Sequence, residues 1–268
     1  MSALHLERIG QGPAVLLLHG WAMHGGIFAP LVERLAGHFT VLCVDLPGHG
    51  HSRDHALPLA LDAVADALNA QLSALEPERA GASRPLVVGW SLGGLVATAL
   101  AARHPARVRG LVMLAASPRF VQAPDWPAGM DPQVFERFGE ELGRDYRGTL
   151  DRFLMLEAQG SAHLREELRF LRDAVYARGE PSPRALHEGL GLLHDADLRQ
   201  RLPGLAMPSL WLAGRRDRLV SPAALQAAAA LAPRSRLRVF EQAGHAPFLT
   251  EPQALADALI AFAADCPP

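Results

Sequence analysis

A serine stands among glycines in the segment GWSLGG at positions 89–94. The apolar run at 86–89 ends there and a helical pattern begins, and G-x-S-x-G at such a junction is typical of a nucleophile elbow. The sharp turn strains the backbone of the middle residue, projects its side chain outward and requires small neighbours. We therefore predict that Ser91 is a nucleophile. The alternative is a glycine-rich turn with an incidental serine.

A serine hydroxyl is a weak nucleophile, so it needs a general base and a third group that orients the base. In chains with this motif an acid and then a histidine follow the serine. Asp217 follows an expected strand at 209–213, and His245 follows the next one. Parallel sheets place their sites at these strand ends, so we predict that both join Ser91. Asp195 and Asp197 are rival acids, but they precede the last two strands.

Acyl transfer also needs backbone N–H donors for an oxyanion, and the residue after the nucleophile supplies one of them. That residue is Leu92, and the loop LLLHGWAMHGG at 16–26 offers the N–H of Trp21 as the second donor. An ordinary strand-ending turn is the alternative for this loop. The sequence has no H-E-x-x-H, paired C-x-x-C or P-loop, so we expect no metal ion and no cofactor.

Short apolar runs without alternation alternate with helical patterns, which predicts an α/β fold with a mostly parallel sheet and helices on both faces. The expected strands lie at 14–18, 40–44, 86–89, 111–115, 209–213 and 237–240, and the expected helices at 59–75, 92–103, 222–231 and 252–264. From 118 to 193 only helical spacing and prolines occur. We therefore expect a core of 1–117 and 194–268 with an inserted helical lid at 118–193, and a surface loop at 76–84.

The 268 residues carry a net charge of −2, and 49% of them are hydrophobic. That charge balance gives no reason to expect nucleic acid or an anionic membrane as a partner. All 26 basic residues are arginine, so a single arginine carries little meaning. We read Cys43 and Cys266 as reduced thiols. The beginning of the chain lacks a signal-peptide pattern, and no apolar run is long enough for a membrane helix, so we expect a cytoplasmic protein.

Several segments together resemble the bacterial pimeloyl-[acyl-carrier protein] methyl ester esterase family of α/β hydrolases. They are HGWAMH, DLPGHGHS, the elbow with its helix and SPRF, DRFLMLEAQG, and AGHAPFLTEP. The likeness covers nearly the whole chain, insertion included. It implies the α/β-hydrolase fold, the removal of a methyl group from pimeloyl-[acyl-carrier protein] in biotin synthesis, and the carrier protein as a partner. We also expect a monomer.

Carried over residue by residue, the resemblance assigns Ser91, Asp217 and His245 to the catalytic triad. It assigns oxyanion and substrate contacts to seven residues: Trp21, Leu92, Phe153, Leu154, Met155, Leu156 and Glu157. The family pattern has glutamine at the last of these positions, so the glutamate is a departure. The resemblance also implies that Arg152, Arg165 and Arg169 dock the acidic carrier protein, as a cationic surface should.

Two other enzyme activities fit the same residues, and a third alternative is a protein without catalytic activity. A broad carboxylesterase for short acyl esters would use the same triad without a carrier partner. A carbon–carbon bond hydrolase would use it as well. A binding protein on a hydrolase scaffold would commonly lack one member of the triad, and all three are present here.

Overall fold

The computed structural model describes residues 3–75 and 84–267. Its central element is a seven-stranded sheet in the order β1-β3-β2-β4-β5-β6-β7. Only β1 runs antiparallel to its neighbour, and every other pair is parallel. The strands are β1 Leu6–Ile9, β2 Ala14–Leu18, β3 Thr40–Val44, β4 Leu86–Trp90, β5 Gly110–Leu114, β6 Ser209–Gly214 and β7 Ser235–Phe240. The predicted α/β class with a mostly parallel sheet is confirmed.

Strands β2 to β5 are buried at every residue. Side chains of a strand point alternately to its two faces, so burial of all of them means that layers cover both faces of the sheet. Helix α1 packs against α10, and α2 packs against α3. The helices are α1 Ala29–Leu35, α2 Leu61–Leu75, α3 Leu92–Arg103, α4 Pro132–Leu142, α5 Tyr146–Ala158, α6 Leu164–Tyr176, α7 Pro183–Asp195, α8 Pro222–Ala229, α9 Pro247–Thr250 and α10 Pro252–Asp265.

Strand β1 is absent from the sequence-based assignment. It is an edge strand of four residues that includes Glu7 and Arg8, and all four are half-buried or exposed. Because an edge strand with a solvated face needs no apolar run, the pattern that identifies the inner strands fails here. Strand β7 lies at the other edge and begins at Ser235, two residues before the expected start.

Helices α4 to α7 all lie between β5 and β6, in the segment for which helical spacing was predicted. We call this group of four helices the lid. Helix α7 continues to Asp195, past the expected boundary at 193. Two isolated bridges also occur in the segment, Val121 with Met130 and Ala123 with Trp126. Of the loop expected at 76–84, residues 76–83 lie outside the described residues.

Within residues 3–75 and 84–267, no helix is both long enough and apolar enough to cross a lipid bilayer. The two cysteines, Cys43 and Cys266, are buried and free. Burial raises the pKa of the Cys43 thiol to about 12. This thiol therefore stays protonated and unreactive near neutral pH.

Candidate active site

Ser91 occupies the turn between β4 and α3 with φ 52° and ψ −121°. A positive φ is uncommon for any residue other than glycine, so this backbone is strained at the point where the side chain must project. The glycines beside it allow the turn to close: a Cβ on Gly89 would overlap the carbonyl of Gly93, and a Cβ on Gly93 would overlap the carbonyl of Leu18. The glycine pattern thus reflects close backbone packing around the serine.

The loop after β2 lies directly against this turn. A Cβ on Gly20 would stand 3.3 Å from Cβ of Ser91, so the next residue along the loop, Trp21, begins beside the serine. Among the described residues, the backbone N–H of Trp21 has no acceptor. The N–H of Leu92 is the first of helix α3 and has no partner within the helix. Both predicted oxyanion donors therefore flank Ser91 with free N–H groups.

Asp217 and His245 form a fully buried pair. The Nδ1 atom of His245 lies 2.8 Å from a carboxylate oxygen of Asp217, and both side chains are 0% exposed. The other carboxylate oxygen accepts from the backbone N–H groups of Leu219 and Val220, at 2.8 and 2.9 Å. Because a carboxylate only accepts, Nδ1 carries the proton and Nε2 presents a lone pair. This is the tautomer that a general base requires.

The loops after β6 and β7 bring this pair together. Arg215 N–H donates to Phe240 O at 2.8 Å, and Arg216 N–H donates to Ala243 O at 3.0 Å. These bonds continue the pairing of β6 and β7 into the two loops, up to Arg216 beside Asp217 and up to Ala243 two residues before His245. Residues 28 positions apart in the chain therefore meet at one strand end.

Trp90 ties the histidine to the elbow, a role that the sequence analysis did not assign. Its indole Nε1–H donates to the backbone carbonyl of His245 at 2.8 Å, and the two rings lie 5.7 Å apart. A tryptophan at the first variable position of G-x-S-x-G was the available signal. Since Trp90 directly precedes Ser91, its side chain fixes the histidine loop relative to the nucleophile.

The Ser91–His245 hydrogen bond is not formed in this structure. The Nε2 atom of His245 is buried and has no hydrogen-bond partner in the described part of the chain. Catalytic hydrogen bonds of this kind often tighten only when substrate binds. Burial lowers the pKa of His245, but the charge and hydrogen bond of Asp217, with a contribution from Glu157, outweigh burial and leave the pKa raised.

The segment at 153–157 belongs to α5 and only part of it faces the site. Phe153 and Leu154 are buried, and the ring of Phe153 meets the ring of Trp21 edge-on at 4.5 Å. Leu156 is half-buried. Met155 is 51% exposed, so the structure does not support the expected contact of this residue with substrate. Consecutive residues of a helix point about 100° apart, and five in a row cannot share one face.

Glu157 lies at the inner face of α5 and is 0% exposed. Burial raises the pKa of its carboxyl, His245 lowers it and Asp217 raises it, and together they leave it at about 8. Near neutral pH the side chain is therefore an uncharged carboxylic acid. An uncharged carboxyl can lie beside an apolar acyl chain as the family's glutamine does, so a glutamate is compatible with a substrate-lining position.

Helix α7 packs against Trp21 and covers the site on the side of the lid. The indole N–H of Trp21 donates to Leu186 O at 2.9 Å, and a Cβ on Gly189 would lie 2.6 Å from the Trp21 ring. Ser91 is 1% exposed and His245 is 0% exposed. In this structure helix α7 therefore contributes to covering the catalytic side chains from solvent.

The three arginines expected to dock a carrier protein differ in their surroundings. Arg152 of α5 forms ion pairs with Glu141 and Asp145, at 2.9 and 3.4 Å. Arg165 and Arg169 of α6 are exposed. They are four residues apart and therefore share one helix face. No carboxylate lies within ion-pair distance of these two among the residues described.

The rival acids lie elsewhere. Asp197 pairs with Arg119 and Arg199, at 2.9 and 2.6 Å, and Asp195 bonds the ring of His194. Both carboxylates therefore have partners away from Ser91 and His245. Among the described residues, no group of three or more histidine, cysteine or acidic side chains could hold a metal ion.

The sequence and the structure were compared with known proteins. Residues 13–252 match the family model described as the alpha/beta hydrolase fold. The chain is 54% identical to a pimeloyl-[acyl-carrier protein] methyl ester esterase of Xanthomonas oryzae, over 98% of this chain and 100% of that one. The identity to the esterase of the same name from Stenotrophomonas maltophilia is also 54%, over 99% of this chain and 98% of that one.

Solved structures show the same architecture. An esterase from Exiguobacterium antarcticum superposes with a TM-score of 0.82 at 25% identity, covering 97% of this chain and 94% of that one. A bromoperoxidase from Bacillus anthracis superposes with a TM-score of 0.86 at 22% identity, covering 97% and 94%. The latter shows the fold alone.

These matches, together with the elbow and the Asp–His pair, make the chain a member of the α/β-hydrolase family. Within that family it belongs to the pimeloyl-[acyl-carrier protein] methyl ester esterases. The expected fold and the resemblance are both confirmed.

Proposed function

We propose that this chain hydrolyses the methyl ester of pimeloyl-[acyl-carrier protein], with Ser91, His245 and Asp217 as its catalytic triad. The observation that carries the proposal is the buried Asp217–His245 pair, with Nδ1 at 2.8 Å from the carboxylate, beside a strained serine elbow. The 54% identity to esterases of that name over nearly the full chain supports the substrate.

In the first half-reaction Nε2 of His245 accepts the Ser91 proton as Oγ attacks the ester carbonyl carbon. The developing oxyanion accepts hydrogen bonds from the N–H groups of Trp21 and Leu92. The Asp217 carboxylate stabilises the imidazolium that forms, because it holds the Nδ1 proton and carries the opposite charge. His245 then returns the proton to the departing methoxy oxygen, and methanol leaves.

The second half-reaction repeats these steps with water. His245 accepts a proton from the water as its oxygen attacks the acyl-enzyme carbonyl, and the same imidazolium then protonates Oγ of Ser91. The products are the free serine and a pimeloyl chain with a free terminal carboxyl group. No metal ion or cofactor is needed for either half-reaction.

The lid supplies the apolar wall for the methylene chain. Phe153 packs on Trp21 and against Phe138, whose ring lies 5.5 Å away. A hydrocarbon chain gains about 0.8 kcal/mol for each methylene group that it buries. Five side chains of α4 and α5 are proposed to cover it: Phe135, Phe138, Phe153, Leu154 and Leu156.

Arg165 and Arg169 are proposed as the carrier-protein contact on this chain. Their guanidinium groups lie on an exposed face of α6 without an ion-pair partner in the described residues, and a carrier protein presents an acidic surface. Arg152 is a weaker candidate, because Glu141 and Asp145 already engage its charge. We retain it as an expected contact that requires rearrangement of these pairs.

The catalytic proposal is tested with Ser91→Ala. The variant should lose turnover of the carrier-bound methyl ester, while its melting temperature stays near that of the wild type. A fluorophosphonate probe should label the wild type only, because it reacts with an activated serine. Appreciable hydrolysis by the folded variant would disprove the acyl-enzyme scheme.

The docking proposal is tested with the double variant Arg165→Glu/Arg169→Glu. It should lose activity on the carrier-bound ester by raising KM, yet keep normal rates on p-nitrophenyl butyrate. The matched control is Arg8→Glu/Arg238→Glu, which changes the net charge equally on the two edge strands. Equal losses in both doubles, or equal rates on both substrates, would favour a broad carboxylesterase without a carrier partner.

A further inference from the structure

Glu157 is a buried acid whose carboxyl group has no partner. Both of its oxygens are inaccessible to solvent and lack a hydrogen bond to any described residue. The lid contains a second buried acid, Glu167, which accepts from the hydroxyl groups of Ser161 and Thr250. Leaving a buried polar group unpaired costs on the order of 1–3 kcal/mol, and more when it is charged. An unpaired carboxyl in this position therefore points to a ligand group that completes it.

The end of helix α5 places this carboxyl at the catalytic pair. A Cβ on Gly160 would overlap the carbonyl of Arg216, the residue before the catalytic acid. Ala162 N–H donates to Gln242 O at 3.3 Å, in the loop that carries the catalytic histidine. The segment that follows Glu157 is thus fixed to both catalytic loops.

The groups that face Glu157 contain no permanent cation. Asp217, from the loop after β6, and His245, from the loop after β7, are the ionisable groups of the described residues that act on its charge. Burial is the main reason that its pKa is raised, to about 8. The carboxyl is therefore neutral at pH 7 and ionises in the mildly alkaline range.

The resemblance already places Glu157 among the substrate contacts. We propose that it acts there as an uncharged hydrogen-bonding group, and that its ionisation closes the pocket to uncharged acyl esters. The inference rests on the proposed triad. In the neutral form the carboxyl donates one hydrogen bond to an oxygen of the ester. It thereby gains on substrate binding the partner that it lacks in the free enzyme.

The ionised form has the opposite effect, for two physical reasons. A carboxylate holds water, and an apolar chain can displace that water only at a large desolvation cost. The added negative charge also stands beside Asp217, in a site where an oxyanion must form. The first effect weakens substrate binding, so ionisation should act mainly by raising KM.

The test measures kcat and KM for p-nitrophenyl butyrate between pH 6.5 and 9.5 in the wild type and in Glu157→Gln, with spontaneous hydrolysis subtracted. In the wild type, kcat/KM should fall above pH 8 with a slope of about tenfold per pH unit, which is the slope of a single ionisation. The fall should appear in KM. In Glu157→Gln, which keeps the shape and the hydrogen bonds of the neutral acid, kcat/KM should stay flat over the same range.

Two further variants make the result specific. Glu167→Gln removes the other buried acid of the lid and should keep the alkaline fall. Glu157→Leu has neither the charge nor the hydrogen bonds, so it should lose the fall and show a raised KM at pH 7. This second variant also serves if the glutamine variant does not fold, which a melting curve reports.

An alkaline fall that persists in the folded Glu157 variants, or that is absent from the wild type, would overturn the inference. Failure of the proposed function looks different. In that case the wild type neither hydrolyses the ester nor reacts with a fluorophosphonate, and the inference is refuted together with the triad.

Discussion

Two regions of the molecule each bury a histidine near an aspartate. At the ends of β6 and β7, His245 bonds the carboxylate of Asp217. At the ends of β2 and β3, His19 and Asp45 lie close enough for their charges to interact, and both are 0% exposed. The residue types, the burial and the position at strand ends are alike, yet the pKa values of the two histidines move in opposite directions.

The hydrogen bonds explain the difference. The Nε2 atom of His19 accepts from the N–H of Leu46 at 2.9 Å, so Nδ1 carries the proton and donates to Gly20 O at 2.8 Å. Both nitrogens are therefore used by backbone groups that suit the neutral ring. Burial then lowers the pKa of His19 to about 3, with the nearby His49 as the next cause.

Asp45 is engaged by other partners. Its two carboxylate oxygens accept from the N–H groups of Gly25 and His51, at 2.7 and 2.8 Å, and both lie 3.2 Å from the guanidinium of Arg178. Burial alone would raise its pKa, but the charge interaction with His19 and these hydrogen-bond partners together lower it. The partners of Asp45 hold the loop of Trp21 in place, whereas the Asp217–His245 pair is the one that we propose to transfer protons. A histidine near an aspartate is suited to act as a base when one ring nitrogen bonds the carboxylate and the other stays unpaired, as in His245.

The largest expected effect on kcat follows from removing the unpaired Nε2 atom of His245. His245→Gln should lower kcat by about 10⁴- to 10⁶-fold, the range seen when a triad base is removed. His49→Phe is the matched control in the other region, because His49 is equally buried and neutral. Its kcat should stay within about tenfold of the wild type, since a packing change there leaves the triad intact. Similar kcat losses in both variants would erase the distinction between the two regions.

Asp217→Asn should lower kcat by about 10⁴-fold, because the amide favours the wrong tautomer of the ring. It should also shift the acid limb of kcat/KM to lower pH, since the Asp217 charge is the main cause that raises the pKa of His245. A pH profile from 5 to 8 measures both effects. An acid limb that moves to higher pH would contradict this assignment.

The pH dependence of stability should separate the regions as well. Burial lowers the pKa of His19 to about 3 and that of His49 to about 4. Below about pH 6.5 the unfolded chain therefore binds protons that the native state does not. As pH falls from 6 to 4.5, each of the two histidines should lower the free energy of unfolding by about 1.4 kcal/mol per pH unit.

Urea unfolding at several pH values in this range measures that slope. His49→Phe should flatten it by the share of one histidine. His245→Gln should leave the slope in this range nearly unchanged, because a histidine with a raised pKa is protonated in both the folded and the unfolded chain there. Its stabilising contribution is lost only as pH rises above about 6.5. A slope in His49→Phe equal to that of the wild type would show that His49 titrates alike in the folded and the unfolded chain.

The smallest effect concerns Arg178, which joins the lid to the core. Its guanidinium bonds Glu7 at 2.6 Å as well as Asp45. Arg178→Gln should cost about 1.5–3 kcal/mol of stability, the usual value of hydrogen bonds to charged groups. Fluorophosphonate labelling of Ser91 should persist at temperatures below the lowered melting point. Loss of labelling in the folded variant would show that the structural cluster also supports catalysis.

The local features of the site could be predicted from the sequence. Glycines at 89, 93 and 94 around Ser91 predict the turn, because only small residues allow the backbone to pack so closely. Apolar runs without alternation identify the inner strands, since buried strands need apolar side chains on both faces. Edge strand β1 escapes this pattern because one of its faces is solvated.

Other features depend on contacts that sequence spacing does not contain. The outward position of Met155 follows from which face of α5 meets the core. The neutral state of Glu157 follows from burial among segments up to 88 positions away. The role of Trp90 follows from a hydrogen bond that spans 155 positions. None of these is a property of a residue and its neighbours in the chain.

The sequence by itself determined the buried strands and the main helices around them, the elbow and the identity of the triad candidates, because these follow from local periodicity and steric limits. Only the tertiary structure decided which buried histidine combines an unpaired nitrogen with a hydrogen bond to an aspartate, and which acid stays protonated. The physical reason is that a proton's free energy depends on desolvation and on nearby charges and hydrogen bonds. In this protein distant segments supply all three.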